Sequence, residues 1–155
     1  MSYSKLLVFT LAVASASALS TGSAHAQRTA FGIRGGVTDD PDTGFFGIHG
    51  AIHLRGAPRL RLEPSFEFGV GDPIDFSLRF NFRFKYMVPL GRNAAVYPLF
   101  GPSVYHVEVD PGDNTEFGID LGGGFAVAGF FFDLALGLPD DNLPDFTFTL
   151  GYTFW

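Results

Sequence analysis

Residues 75–88 alternate between apolar and polar side chains. An apolar set begins at Phe76 and Leu78 and returns at every second residue to Val88, while polar residues such as Arg79 stand between its members. Successive side chains of a β-strand point to opposite faces, whereas a helix would mix the two sets. This segment is therefore predicted to be a strand with one apolar face and one charged face.

The same period of two recurs along the rest of the chain. It is present in residues 29–38, 46–55, 60–70, 95–109, 116–127, 130–136 and 146–154. With the first segment these make eight strands, which allots about 16 residues to each strand and its connection, as short turns require. The chain contains 20 glycines, which disfavour a helical bundle. We predict an all-β fold of eight antiparallel strands in up-and-down order.

The fifth of these segments, residues 95–109, fits the pattern least well. Tyr97, Leu99 and Tyr105 share one parity, which we assign to the apolar face. Pro98 and Pro102 lack the N–H group that a ladder hydrogen bond needs. A β-bulge or a late strand start is expected here.

Eight such strands can close into a soluble barrel with an apolar interior or a membrane barrel with an apolar exterior. In an up-and-down order, the connections after odd-numbered strands all lie at one end. Those connections contain Asp39, Asp40, Asp42, Asp72, Asp75, Asp110, Asp113, Asp140, Asp141 and Asp145. The opposite turns, 56–59, 89–94 and 128–129, contain no acid. A soluble lipocalin-like barrel has no reason to sort its charges in this way, so the pattern favours the membrane barrel.

Four aromatic residues map to the acid-free end, as an interfacial aromatic girdle would. They are Tyr86, Tyr97, Tyr152 and Trp155.

The first 26 residues are predicted to be a secretory signal peptide. Lys5 precedes the apolar run 6–14, and Ala24-His25-Ala26 forms a small-residue cleavage site. The apolar run is shorter than the roughly 20 residues of a spanning helix. Cleavage leaves a barrel domain over residues 27–155. The chain has no cysteine for disulfides or thiolate metal sites, and its net charge of −6 disfavours nucleic acid as a partner.

Two late segments carry a resemblance to a known family. They are Phe117-Gly118-Ile119-Asp120-Leu121-Gly122-Gly123-Gly124 and residues 146–155, which alternate aromatic residues. They are similar to a late strand and to the terminal strand of bacterial outer-membrane β-barrel proteins of the small eight-stranded OmpA-like and OmpX-like type. The resemblance implies a monomer in the cell outer membrane. Its partners would be outer-membrane lipids and lipopolysaccharide, with the barrel-assembly machinery and periplasmic chaperones during biogenesis. It also implies that Tyr152, Phe154 and Trp155 form the assembly signal, although the alternation ends at Phe154 and Trp155 adds one residue.

The charged face of such a barrel would line its lumen. Eight strands enclose room for little more than side chains, and buried charges need partners. We predict one charge network that plugs the lumen, made of Arg34, Glu63, Glu67, Arg79, Arg83, Lys85, Asp120 and Asp133. Inner-face glycines, including Gly118, Gly122 and Gly124, would leave space for long arginine side chains or permit the strand to bend. A wide continuous pore is not expected.

The chain offers little catalytic or metal-binding chemistry. Ser103, His106 and Glu108 come nearest to the serine, histidine and acid of barrels that modify lipid A, but Ser103 has the opposite parity to His106. His49 and His53 would lie about 13 Å apart on a strand, too far to chelate one metal. Residues 110–116 have the composition of a tight turn and lack the spacing of an EF-hand.

We therefore expect a non-catalytic outer-membrane barrel, without cofactor or metal, in a structural or surface-interacting role. A lipid A-modifying enzyme, a narrow channel and a soluble periplasmic ligand-binding barrel remain as alternatives.

Overall fold

The computed structural model describes residues 29–39, 42–71, 76–109, 112–139 and 145–155, and of residues 108, 109 and 112–114 it describes the backbone alone. The signal peptide lies outside this range, so its boundary with a barrel domain at residue 27 stays a prediction. Six acidic connection residues also lie outside it, namely Asp40, Asp72, Asp75, Asp110, Asp140 and Asp141.

The described residues form nine antiparallel strands. These are β1 (Thr29–Asp39), β2 (Asp42–His53), β3 (Leu60–Gly71), β4 (Phe76–Tyr86), β5 (Val88–Pro89), β6 (Ala94–Val109), β7 (Gly112–Val127), β8 (Phe130–Pro139) and β9 (Asp145–Phe154). The two-residue β5 pairs only with the start of β6 and belongs to the connection between β4 and β6. The other eight strands pair in chain order, and β1 pairs with β9 to close the sheet. The prediction of an eight-stranded antiparallel up-and-down barrel is confirmed.

The two ends of the barrel differ in their connections. We call the end that holds the start of β1 and the finish of β9 the terminal end, and the opposite end the loop end. At the terminal end, residues 54–60 form tight turns in which Leu60 N donates to Ala57 O at 2.8 Å. Ala128 and Gly129 form a two-residue hairpin turn with φ of 50° and 91°, the geometry of a type I′ turn.

The barrel is apolar outside and polar inside. Among the described residues, 27 large hydrophobic side chains are exposed, whereas five hydrophobic and 19 polar or charged residues are buried. A water-soluble protein has the opposite distribution, because burial of apolar surface drives its folding. The apolar side chains face outward and the polar ones inward, which contradicts a soluble barrel with an apolar interior. The described residues contain no helix that is both long and apolar enough to span a membrane.

Strand β6, the predicted fifth strand, shows where the assignment of faces was wrong. Tyr97 and Leu99 are only 3% and 2% exposed and point into the lumen, whereas Phe100 is 51% exposed on the outer wall. Alternation places Tyr105 on the inner face as well, and its ring lies 4.7 Å from the Arg79 guanidinium carbon. The parity that was assigned to the apolar outer face thus faces the lumen.

The expected bulge in this strand is absent from the described ladders, whereas the alternative, a late start, is seen only in the pairing with β4, which begins at Leu99 although β6 begins at Ala94. The pairing of β6 with β4 lapses between Asn81↔Ser103 and Phe84↔Phe100, opposite Pro102, and ends at Lys85↔Leu99, before Pro98. The register is the same on both sides of the lapse, so no residue is extra. Pro102 thus lies in the gap of the ladder with β4 and Pro98 lies beyond its end, whereas both prolines keep register partners on β7.

Candidate functional site

Ten charged side chains are buried in the lumen among the described residues, and their charges balance. The five basic ones are Arg34, Arg61, Arg79, Arg83 and Lys85, and the five acidic ones are Glu63, Glu67, Asp120, Asp133 and Asp145. A buried charge without a partner is costly, so an equal number of both signs is what allows this interior to form. The structure places all eight residues of the predicted network here, together with Arg61 and Asp145.

The centre of the network joins strands from both sides of the barrel. Lys85 Nζ lies 2.6 Å from Glu63 Oε1 and 2.8 Å from Asp133 Oδ2. Arg34 reaches the same two acids, with Nη1 3.3 Å from Glu63 and Nη2 3.5 Å from Asp133, and its Nε lies 3.1 Å from Glu67. Each cation therefore contacts at least two carboxylates, and the four strands β1, β3, β4 and β8 are tied together across the lumen.

Two further ion pairs extend this network toward the loop end. Arg83 Nε donates to Asp120 Oδ2 at 2.8 Å, and Arg83 Nη2 lies 2.7 Å from the same carboxylate oxygen. Arg79 Nη2 lies 2.6 Å from Asp145 Oδ2, and its Nη1 donates to Thr147 at 2.9 Å. Asp145 belongs to β9, so the Arg79 pair links the fourth strand of the wall to the last.

Neutral polar groups complete the interior. Asn81 Nδ2 donates to Glu67 Oε1 at 2.9 Å and to Ser65 Oγ at 3.1 Å. His49 Nε2 and Thr153 Oγ1 are hydrogen-bonded at 3.0 Å near the terminal end. The Asn81 bonds join the consecutive strands β3 and β4, whereas the His49–Thr153 bond joins β2 to β9 across 104 residues of sequence.

Two aromatic residues inside the lumen were not foreseen. Tyr97, expected in the outer girdle, instead donates its hydroxyl to Asp133 Oδ1 at 2.7 Å, and its ring centroid lies 4.9 Å from Lys85 Nζ. The Phe131 ring lies 4.5 Å from the same ammonium and 5.6 Å from the Arg34 guanidinium carbon. A cation shielded from water gains from such ring faces, which explains aromatic residues in a charged interior.

Glycines create the room for these rings. A Cβ on Gly151 would collide with the Phe131 ring, and one on Gly124 would lie 2.6 Å from both the Tyr97 ring and Asp133 Oδ1. Gly118 faces Ser103, and Gly122 approaches the backbone of Leu134. The space at Gly124 and Gly151 is therefore taken by aromatic rings rather than by the long arginines that the sequence suggested.

The remaining girdle residues divide between the wall and the mouth of the lumen. Tyr86 is exposed on the outer wall, and Tyr152 packs there between Phe130 and Phe154. Trp155 differs from the expectation, because its ring lies 5.0 Å from the Arg61 guanidinium carbon and 5.4 Å from the His53 ring at the lumen mouth. Phe154 thus ends the outward series, and the assembly role of Tyr152, Phe154 and Trp155 stays a prediction.

The candidate catalytic residues are not brought together. Alternation places Ser103 on the inner face and His106 on the outer face, as their parity indicated. His106 Nδ1 is instead hydrogen-bonded to Thr115 Oγ1 at 2.8 Å. The Glu108 side chain and much of the 110–116 segment lie outside the description. No group of three or more His, Asp or Glu side chains suited to a metal ion occurs in the described part of the chain.

The charge network separates two cavities in the barrel. A cavity of about 500 Å³ lies at the terminal end, with Phe131 at its inner limit. A cavity of about 10 Å³ lies toward the loop end, between Glu67, Arg79 and Tyr105. Glu63, Lys85 and Asp133 lie between them with almost no exposed surface.

Comparison with known proteins identifies structures that share the fold of this chain. No protein-family model matches the chain, and neither does any curated protein sequence. The N-terminal β-barrel domain of Pseudomonas aeruginosa OprF matches with a TM-score of 0.57 at 13% identity, over 84% of this chain and 100% of that one. Neisserial surface protein A (NspA) matches with 0.54 at 11%, over 81% and 94%. The outer-membrane enzyme PagL matches with 0.51 at 14%, over 83% and 99%. The chain therefore shares the eight-stranded fold of small outer-membrane β-barrel proteins, as the resemblance in its late strands implied.

Proposed function

We propose that this protein is an integral outer-membrane β-barrel, without catalytic activity, that acts structurally or through its surfaces. The observation that carries the proposal is the apolar outer wall, where phenylalanine, leucine, isoleucine and valine side chains face outward from every strand of the barrel. Hydrocarbon solvates such a wall, and the closed ladder satisfies backbone groups that lipid cannot hydrogen-bond.

The dimensions of the wall fit a bilayer. A spanning β-strand needs about 9–11 residues. The eight wall strands are 10 to 16 residues long. Outer-membrane lipids and lipopolysaccharide would then contact the wall, and the assembly machinery and periplasmic chaperones would act on the chain before insertion. The closed ladder leaves no edge for another chain, which favours a monomer.

The lumen argues against the channel alternative. Passage would require the central ion pairs of Arg34 and Lys85 with Glu63 and Asp133 to separate, and these side chains have almost no exposed surface. Separation would leave uncompensated charges in a region with little room for water. We therefore propose that the barrel does not conduct ions or solutes in its resting state.

The enzymatic alternative has weaker support. A nucleophile and its base need to approach within hydrogen-bond distance, and Ser103 and His106 lie on opposite faces of β6. On the outer face, the hydroxyl group within hydrogen-bond distance of His106 is that of Thr115, not that of Ser103. If it were catalytic, His106→Ala would abolish a change in the mass of lipid A while the barrel stayed folded.

The experiment that tests the proposal is fractionation of a Gram-negative host that expresses the full chain. We expect the protein in the outer-membrane fraction, and we expect boiled and unboiled samples to migrate differently on a gel because a closed barrel resists detergent unfolding. A His106→Ala variant should fractionate identically and leave lipid A mass unchanged. Recovery in the soluble periplasm would contradict the proposal.

A further inference from the structure

The cavity of about 500 Å³ at the terminal end has the features of a ligand site. Its volume falls in the range of small-molecule sites, about 300–1,000 Å³. Its apolar surface includes Met87, Phe131 and Trp155. Its basic side chains are His53, Arg61 and Arg92. No Asp or Glu occurs among the described residues that line it. A cavity with cationic groups and no acid in its lining selects for anions.

Arg61 is the group in this cavity that most requires a partner. Its side chain is only 9% exposed, and its nearest carboxylate oxygen, Glu63 Oε2, lies 4.0 Å from Nη1. Glu63 is shared with Lys85 and Arg34, which lie closer to it. Among the described residues, no group accepts a hydrogen bond from Arg61 Nε. A guanidinium this deeply buried ordinarily has a full set of acceptors, so Arg61 has donor capacity to offer a ligand.

The residues around Arg61 shape the site further. The Trp155 ring lies 5.0 Å from the Arg61 guanidinium carbon, while 65% of Trp155 remains exposed. Arg92 lines the same cavity from the exposed connection between β4 and β6. One deep and one peripheral arginine can thus engage two anionic groups of the same molecule.

We propose that this cavity binds a small polyanion that carries two or more carboxylate or phosphate groups. Arg61 anchors one group as a bidentate donor, Arg92 binds the other at the rim, and Trp155 packs on the body of the molecule. The proposed function places this site on the periplasmic side, but binding itself requires only the folded barrel. A failure to bind would therefore leave the membrane assignment untouched.

The test uses Trp155, the single tryptophan of the chain, as the reporter. The barrel is folded in uncharged dodecyl maltoside micelles and titrated at constant ionic strength with citrate, with pyrophosphate, and with neutral trimethyl citrate. We expect saturable changes in tryptophan emission, and matching heats by calorimetry, with citrate, pyrophosphate or both. Citrate alone would assign a carboxylate ligand, and pyrophosphate alone a phosphate ligand. Trimethyl citrate should give no response.

Three variants test the assignment. Arg61→Gln should weaken binding about tenfold or more, because it removes the buried charge. Arg92→Gln should weaken it severalfold, whereas Arg59→Gln, a matched exposed arginine in another turn at the same end, should have no effect. If Arg61→Gln does not fold, the binding affinities of the Arg92→Gln and Arg59→Gln variants still test the proposal. The absence of a saturable response, a response to trimethyl citrate, or equal affinities in the Arg92 and Arg59 variants would overturn the proposal.

Discussion

Replacement of Asp133 by asparagine should destabilise the barrel strongly, although the two side chains have the same shape. Asp133 is fully buried and contacts Lys85 Nζ at 2.8 Å, Arg34 Nη2 at 3.5 Å and the Tyr97 hydroxyl at 2.7 Å. Asparagine can still accept the Tyr97 bond through its carbonyl oxygen, and it creates no cavity. The change therefore removes one negative charge from a lumen that holds five charges of each sign.

The expected loss of stability follows from the charges that stay buried when Asp133 is replaced. Lys85 and Arg34 would keep only glutamate partners, and one positive charge would be uncompensated in the interior. Removal of one partner from a buried ion pair costs about 3–5 kcal/mol. Because Glu63 lies 2.6 Å from Lys85 and retains part of the attraction, we expect the lower end of that range, about 3 kcal/mol.

The assay is reversible urea unfolding in phospholipid vesicles, followed by Trp155 fluorescence and by the unboiled gel band. Asp42→Asn is the matched control, since it makes the same substitution at an exposed position and should change stability by no more than about 0.5 kcal/mol. The double variant Asp133→Asn/Lys85→Met restores neutrality and should be less destabilised than the sum of its single variants by about 1 kcal/mol or more. A loss below about 1 kcal/mol for Asp133→Asn would refute the argument that charge balance holds this interior together.

Three further predictions concern packing, turn geometry and conduction. Gly151→Ala should cost about 1–3 kcal/mol because its Cβ meets the Phe131 ring, whereas Gly44→Ala, with no atom nearer than 4.0 Å, should be tolerated; urea unfolding compares them. Ala128→Asn should raise stability by about 0.5–1 kcal/mol in the same assay, because asparagine accepts positive φ more readily than alanine. Planar bilayers containing the wild-type barrel should show no sustained conductance steps, and regular steps would contradict the closed lumen.

The alternation of side chains was enough to predict the barrel wall, because period two is unambiguous where one face carries charges. Glu63 and Glu67 in β3, or Arg79 and Arg83 in β4, mark the inner face of their strands directly. The sequence alone could not predict which of these charged side chains contact one another across the lumen. Lys85 meets Asp133 48 residues later, and that contact depends on how the closed barrel staggers its strands.

The assignment of faces failed where both faces of a strand are apolar. In β6, Leu99 and Phe100 face opposite ways, and no charged residue between 94 and 107 marks the lumen side. Phe131 stands between two outward phenylalanines, so only its parity with Asp133 could have indicated that it points inward. Tyr97 and Phe131 face the lumen because buried cations gain from aromatic faces, a requirement that hydrophobicity does not reveal. Asp145 was assigned to an acidic connection, yet as the first residue of β9 it already points inward to Arg79.

The central claim is that lipid surrounds the phenylalanine- and leucine-rich wall, and tryptophan quenching by lipids brominated near the bilayer centre tests it most directly. Leu134 lies in the middle of β8 on the outer wall, where half of its surface is exposed. A Leu134→Trp/Trp155→Phe variant in such vesicles should be strongly quenched, whereas the wild type, whose tryptophan lies at the lumen mouth, should be quenched weakly. Absence of quenching at position 134 in the folded barrel would contradict the account.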